Sequence, residues 1–90
     1  MNMRVYDVPQ IGCKMFLRDE LDLFGFIQNG VFEPTETEIV KEYVKPGSCC
    51  LDIGANVGYY SVLMAELGAY VDAFEPEPTN YEVLVQNVLP

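Results

Sequence analysis

The segment Leu51-Asp52-Ile53-Gly54-Ala55-Asn56-Val57-Gly58-Tyr59 constrains the fold more than any other part of the chain. A short apolar run from Ser48 to Ile53 carries an acid near its end, turns through two glycines and feeds directly into a helical pattern. A run of this kind is expected for a strand covered on both faces in a parallel sheet. The helix after it is read from Tyr59, Val62, Leu63 and Leu67, with Gly68 supplying a left-handed stop. Tyr70 to Phe74 reads as a second strand. Beyond Pro76 and Pro78, Thr79 and Glu82 form a capping box, and Tyr81, Leu84, Val85 and Val88 follow at i, i+3, i+4 and i+7 of an amphipathic helix. Strand, helix, strand, helix with short connections predicts two parallel neighbours joined by a right-handed crossover, an α/β arrangement.

Upstream, Thr35 and Glu38 form another capping box behind Pro34, and Ile39, Val40, Tyr43 and Val44 make the apolar face of a helix that Lys45-Pro46-Gly47 stops. Helix-start electrostatics account for Glu33, Glu36 and Glu38 without a functional role. The stretches Arg4 to Val8 and Ile11 to Leu17 have extended character, separated by Pro9, Gln10 and Gly12, with partners that cannot be read. Asp19 to Gln28 fits a short helix loosely, closed by Asn29-Gly30. The chain therefore divides into an extended and short-helix segment, 1–33, and the first βαβα part of a single domain, 34–90. Two central strands leave both outer edges unpaired, and a third strand is expected where the sequence stops. The expectation is an incomplete chain, or an edge covered by the N-terminal segment or by another subunit through self-association.

Composition narrows the function classes. Half of the 90 residues are hydrophobic and 21% are charged, enough for a packed core. Five Lys and Arg stand against 14 Asp and Glu, a net charge of −9, which disfavours nucleic acid because that binding draws on cations that neutralise phosphates. The same acidity tolerates a cationic ligand such as a sulfonium. The start lacks the apolar core of a secretory signal, and the longest uncharged run, Ile53 to Ala65, falls short of the ~20 residues of a membrane span. A soluble cytoplasmic protein without membrane contact is expected. Cys13, Cys49 and Cys50 lack metal-ligand spacing, the chain has no histidine, and no metal is expected. The thiols read as buried packing groups.

The chemistry resides in the loop. A strand that turns through glycines into a helix gathers backbone N–H groups and the positive end of a dipole at one point. Gly54 and Gly58 let the backbone bend and approach a ligand. Glu75 ends the next strand, about 20 positions on, where a carboxylate can accept hydrogen bonds from two ribose hydroxyls. The loop does not complete Gly-x-Gly-x-x-Gly, because Asn56 holds the second glycine position, so close approach of a pyrophosphate is disfavoured. Asp52 would repel phosphate and attract an ammonium or sulfonium. An amino-acid-bearing nucleoside follows. Tyr59, Tyr60 and Tyr81 sit at core-like positions, although the first two begin beside the loop, and Asp72 alternates to the face opposite Val71 and Ala73.

Leu51 to Ser61, together with Ala73-Phe74-Glu75-Pro76-Glu77-Pro78, resembles the FkbM family of S-adenosylmethionine-dependent methyltransferases. Gly30-Val31-Phe32-Glu33-Pro34-Thr35-Glu36-Thr37 resembles that family's pre-motif segment, and the likeness runs from about Gly12 to Val88. The resemblance implies a Rossmann-like methyltransferase fold, here truncated after the second core strand and its following helix. It also implies transfer of the cofactor's methyl group to a hydroxyl of a small molecule or sugar. Carried over by position, Asp52, Gly54, Asn56 and Gly58 would line the methionine end, Glu75 the ribose, and Glu33 falls in the pre-motif segment. The further strands of the family would supply the adenine clamp, the acceptor pocket and any base, so no catalytic residue is assigned. Two alternatives stand beside this: a non-catalytic S-adenosylmethionine-binding or interaction remnant, and a nicotinamide-dinucleotide-binding fragment of a dehydrogenase.

Overall fold

The computed structural model describes residues 3–18, 27 and 29–89, which form an α/β structure of three helices and two small sheets. Strands β1 (Met3–Val8) and β2 (Cys13–Arg18) pair antiparallel, Val8 opposite Cys13, so the two N-terminal extended stretches are each other's partners. Then come α1 (Pro34–Tyr43), β3 (Cys49–Ile53), α2 (Tyr59–Glu66), β4 (Tyr70–Phe74) and α3 (Pro78–Val88). β3 and β4 are parallel neighbours as expected, with Cys49 opposite Tyr70 and Ile53 opposite Phe74, so both strands end at one level. Apart from Ile27, the helix expected over Asp19 to Gln28 lies outside the described residues.

Neither capping box forms as read. α1 and α3 each start two residues earlier than the threonines suggest, because Pro34 and Pro78 take the first helical position, where a missing N–H costs nothing and φ is already set. The cap is then the residue before each proline. Glu77 accepts from the N–H groups of Thr79 at 3.2 Å and Asn80 at 2.8 Å. Glu33 caps α1 in the left-handed region, φ 41°, with no side-chain bond to the helix, which leaves its carboxylate free to point elsewhere.

The expectation that β3 is covered on both faces is corrected on one of them. Cys50, Asp52, Val71 and Ala73 are half-buried on the side over which α2 packs, whereas Cys49, Leu51, Ile53, Tyr70, Asp72 and Phe74 are exposed on the other. Near-continuous hydrophobicity reports that both faces of a strand are apolar, not that both have a partner. The buried-thiol reading falls with it, since Cys49 is exposed and Cys13 and Cys50 are half-buried. Asp72 is exposed, as alternation predicts.

The core lies between the N-terminal hairpin and the helices rather than beneath the sheet. Val8, Met15 and Leu17 of the hairpin meet Ile27, Val57, Tyr59, Leu63 and Val83 in one cluster. Each such aliphatic side chain contributes about 1.5–3 kcal/mol through burial. This placement bears out Val40 and Leu84 on the expected helix faces and corrects Ile39, Tyr43, Tyr81 and Val88. On α1, Thr37 is buried while Ile39 and Tyr43 are 50% and 73% exposed. On α3, Val83 and Leu84 are buried while Tyr81 and Val88 are about half exposed, lining an open groove of about 510 Å³ with Val62, Val71 and Ala73.

Among the described residues, the N-terminal hairpin forms a sheet of its own and does not pair with an edge of the β3–β4 sheet. Its β2 edge pairs with a side chain instead. Asn87 of α3 accepts from Phe16 N–H at 2.6 Å and donates to Phe16 C=O at 3.0 Å, as a neighbouring strand would. The same Nδ2 donates to Val57 C=O at 2.7 Å and so ties hairpin, α3 and the glycine loop together.

Candidate functional site

Parallel pairing fixes where the loop must meet the next strand. Gly54 and Ala55 both donate their N–H to Phe74 C=O at 2.9 Å, which clamps the start of the loop to the end of β4. One residue further on, Asn56 N–H donates to Glu75 Oε1 at 2.7 Å, and Glu77 N–H donates to Oε2 at 3.0 Å. The loop and Glu75 therefore share one rim of the sheet. Each Glu75 oxygen has spent one acceptor direction and keeps another, room for two further donors such as a vicinal diol. Asn56 sits at φ 57°, a left-handed position that asparagine tolerates better than most residues.

A cavity of about 160 Å³ opens beside this rim, and Glu33, Asp52, Gly54 and Asn56 line it. Four of the six residues selected from sequence thus meet in one cavity, with Glu75 bonded to its edge. Asp52 faces inward because β3 alternates, and its Oδ2 accepts the Ser61 hydroxyl at 2.7 Å. Gly54 has open space where a side chain would start, as a ligand-facing glycine should.

Gly58 does not join them. It is buried at φ 100°, and a Cβ there would stand 2.9 Å from Leu84 Cδ1. Its absent side chain serves the packing of the loop on α3, not the approach of a ligand. Of the N–H groups expected to be free at this point, those of Gly54, Ala55, Asn56 and Gly58 find acceptors within the protein. Glu75 stands at the loop as its resident anion.

Aromatic rings form one wall. Phe32 and Tyr59 meet edge-on at 4.8 Å between centroids, and Tyr59 and Tyr60 do so at 5.0 Å. Phe32 is held from the hairpin turn, its N–H donating to Gln10 Oε1 at 3.0 Å. Tyr60 donates its hydroxyl to Glu33 Oε1 at 2.5 Å. Burial, then the hydrogen bond and charge of Glu33, push the Tyr60 phenol above its ordinary range, so it remains a donor at neutral pH. Burial also raises Tyr59, whose hydroxyl lies 2.9 Å from that of Thr37. Tyr59 packs as expected, whereas Tyr81 is half exposed.

Sequence reasoning missed Phe32 and Asn87. Phe32 precedes a helix start and carries no pattern of its own. Asn87 did carry a signal, for it stands four residues after Val83 and three after Leu84, a polar group on the packed face of a helix. Among the described residues no lysine or arginine lines the cavity, no group of His, Cys, Asp and Glu could hold a metal ion, and no helix is long and apolar enough to cross a membrane. No protein-family model, curated protein or solved structure matches the chain.

Proposed function

We propose that this chain is the cofactor-binding part of a Rossmann-like S-adenosylmethionine-dependent methyltransferase of the FkbM kind, acting on a hydroxyl of a small molecule or sugar. One observation carries the reading: the Asp52–Gly58 loop and the Glu75 carboxylate lie at one rim, joined by the Asn56–Glu75 hydrogen bond beside a cavity lined by Glu33, Asp52, Gly54 and Asn56. The residues fit the group. Glu75 keeps two acceptor directions for ribose hydroxyls, Asp52 and Glu33 offer carboxylates to an amino-acid ammonium, and Gly54 leaves space beside them. When bound, S-adenosylmethionine supplies an electrophilic methyl group. The chain's part is to orient it, and alignment of donor and acceptor can supply much of the rate of a displacement. The hydrogen bonds from Gly54, Ala55 and Asn56 to the β4 end hold the loop in place for that orientation. A pyrophosphate finds three carboxylates here and, among the described lining residues, no lysine or arginine, which argues against a dinucleotide.

The test is calorimetric titration of S-adenosylmethionine into wild type, Glu75→Gln and Glu75→Ala. Loss of both ribose bonds in Glu75→Ala should weaken binding about 10-fold or more, with Glu75→Gln between. Equal affinities, or tighter binding of NAD than of S-adenosylmethionine, would refute the assignment. The bare apolar face of the β3–β4 sheet favours a second reading, an interaction module, which predicts self-association and no nucleoside binding.

A further inference from the structure

Resting on the proposed function, we infer that Asn87 is a positioning residue of the nucleoside site: through Val57 C=O it holds the glycine loop in the shape the ligand meets. Asn87 stands on α3, outside the cavity, and lines the open groove instead. Its amide nevertheless reaches the back of the loop, with Nδ2 donating to Val57 C=O at 2.7 Å. Val57 is buried and lines the cavity, so it joins the ligand's space to α3. A Cβ built on Gly58 would lie 3.7 Å from Asn87 Cβ, which shows that the two backbones are in close contact at the loop's end.

The bond falls where the loop has slack. Asn56 and Gly58 both stand in the left-handed region, φ 57° and 100°, and the Val57–Gly58 peptide lies between them. A peptide that enters a glycine can turn over at little cost, because glycine accepts either sign of φ. Two bonds oppose that turn: Gly58 N–H to Ala55 C=O at 2.9 Å from within the loop, and Asn87 Nδ2 to Val57 C=O from outside it. The aim of the Asn87 amide is fixed in turn by β2. Oδ1 accepts from Phe16 N–H at 2.6 Å, and Nδ2 donates its other proton to Phe16 C=O at 3.0 Å. Turned over, the amide would set its oxygen against two carbonyls and its nitrogen against an N–H, so a single orientation satisfies all three bonds. The loop is thus held at successive points by Phe74 C=O, by Glu75 and by Asn87. The first two restraints belong to the end of β4; the third comes from α3 and, through it, from the hairpin.

The test pairs calorimetric titration of S-adenosylmethionine with hydrogen exchange of the loop amides in the nucleoside-free chain, under conditions where denaturant curves show each variant folded. Asn87→Asp is nearly isosteric and keeps the acceptor for Phe16 N–H while removing both donors, and Asn87→Ser withdraws the group without adding a charge. Val83→Ala, one turn earlier on the same helix and buried, weakens the core and leaves the three bonds in place. Both Asn87 variants should bind about tenfold more weakly, because only chains with the loop in place bind. Exchange at Asn56 and Gly58 should quicken about tenfold beyond the change in global stability. Val83→Ala should bind as wild type does. Wild-type affinity in the Asn87 variants, or an equal loss in Val83→Ala, overturns the inference and leaves the nucleoside site standing. Binding of no nucleoside to wild type overturns the proposed function instead, and the exchange rates alone then decide whether Asn87 holds the loop. Should neither Asn87 variant fold, wild type decides: S-adenosylmethionine should shift the Asn87 side-chain amide resonances, and unmoved resonances overturn the inference.

Discussion

Glu77 is the residue whose ionisation the fold uses most plainly. Hydrogen bonds from the Thr79 hydroxyl, then from the Asn80 and Thr79 amides, hold its carboxyl below the usual range in the folded chain. The unfolded chain therefore takes up a proton at a higher pH than the folded one. The stabilisation is complete above the unfolded carboxyl range, about 4.3, and drains away as pH falls below it through the lowered folded value. Melting temperatures measured from pH 6 to pH 3 should fall more steeply for wild type than for Glu77→Gln, and parallel curves would remove Glu77 from the account. The same residue marks a limit of sequence reading. Thr79-x-x-Glu82 has the capping pattern, but Pro78 takes the first helical position, which its fixed φ favours, and the cap moves to Glu77. Asp52, Gly54, Asn56 and Glu75 were legible as a group because strand alternation and parallel register dictate where they meet, whereas Glu33 entered only through the family resemblance. Phe32 was not legible, since its place depends on a hydrogen bond to Gln10 from another element.

Between elements, Gly58 decides how closely α2 and α3 approach. Its φ of 100° strains any residue with a side chain, and the Cβ would press on Leu84, itself buried and unable to turn aside freely. Gly58→Ala should therefore destabilise the chain by about 2–4 kcal/mol in denaturant unfolding. Against a Leu84→Ala background the steric part disappears and the cost should drop by about 1 kcal/mol, leaving the backbone strain. An identical cost in both backgrounds would show that the two residues do not press on each other. Strand positions and helix order were readable at this scale because periodicity and glycine punctuation are local. Helix faces were readable only in part, through Val40 and Leu84. The β1–β2 hairpin docks through Asn87 and takes Val83 into its cluster, a position outside the expected stripe that only the hairpin's location could select. Thr37 replaces Ile39 inside α1 for a related reason: its hydroxyl has partners in Tyr59 and Phe32 C=O, so burying it costs little.

At the scale of the whole molecule, the radius of gyration is 12.2 Å, matching the roughly 12 Å expected of a compact chain of this length. The exposed sheet face is therefore not a sign of loosened packing; it is a surface that the packing leaves over. Leu51 and Ile53, 65% and 76% exposed, stand there beside Tyr70 and Phe74, with Asp72 as the one charge among the strand residues of that face. Two opposed forces act on any encounter between copies. Apolar contact favours association, while a net charge of −9 on each chain opposes it over about a Debye length. Association through this face should accordingly strengthen as salt rises. Sedimentation velocity over a range of concentrations should show wild-type mass climbing with concentration and with salt. Leu51→Lys should hold the chain at its monomer mass, and because the position is exposed, its unfolding midpoint should stay within about 0.5 kcal/mol of wild type. A wild-type chain that remains monomeric at high salt would mean that water alone covers the face, and the interaction-module reading would lose its only support.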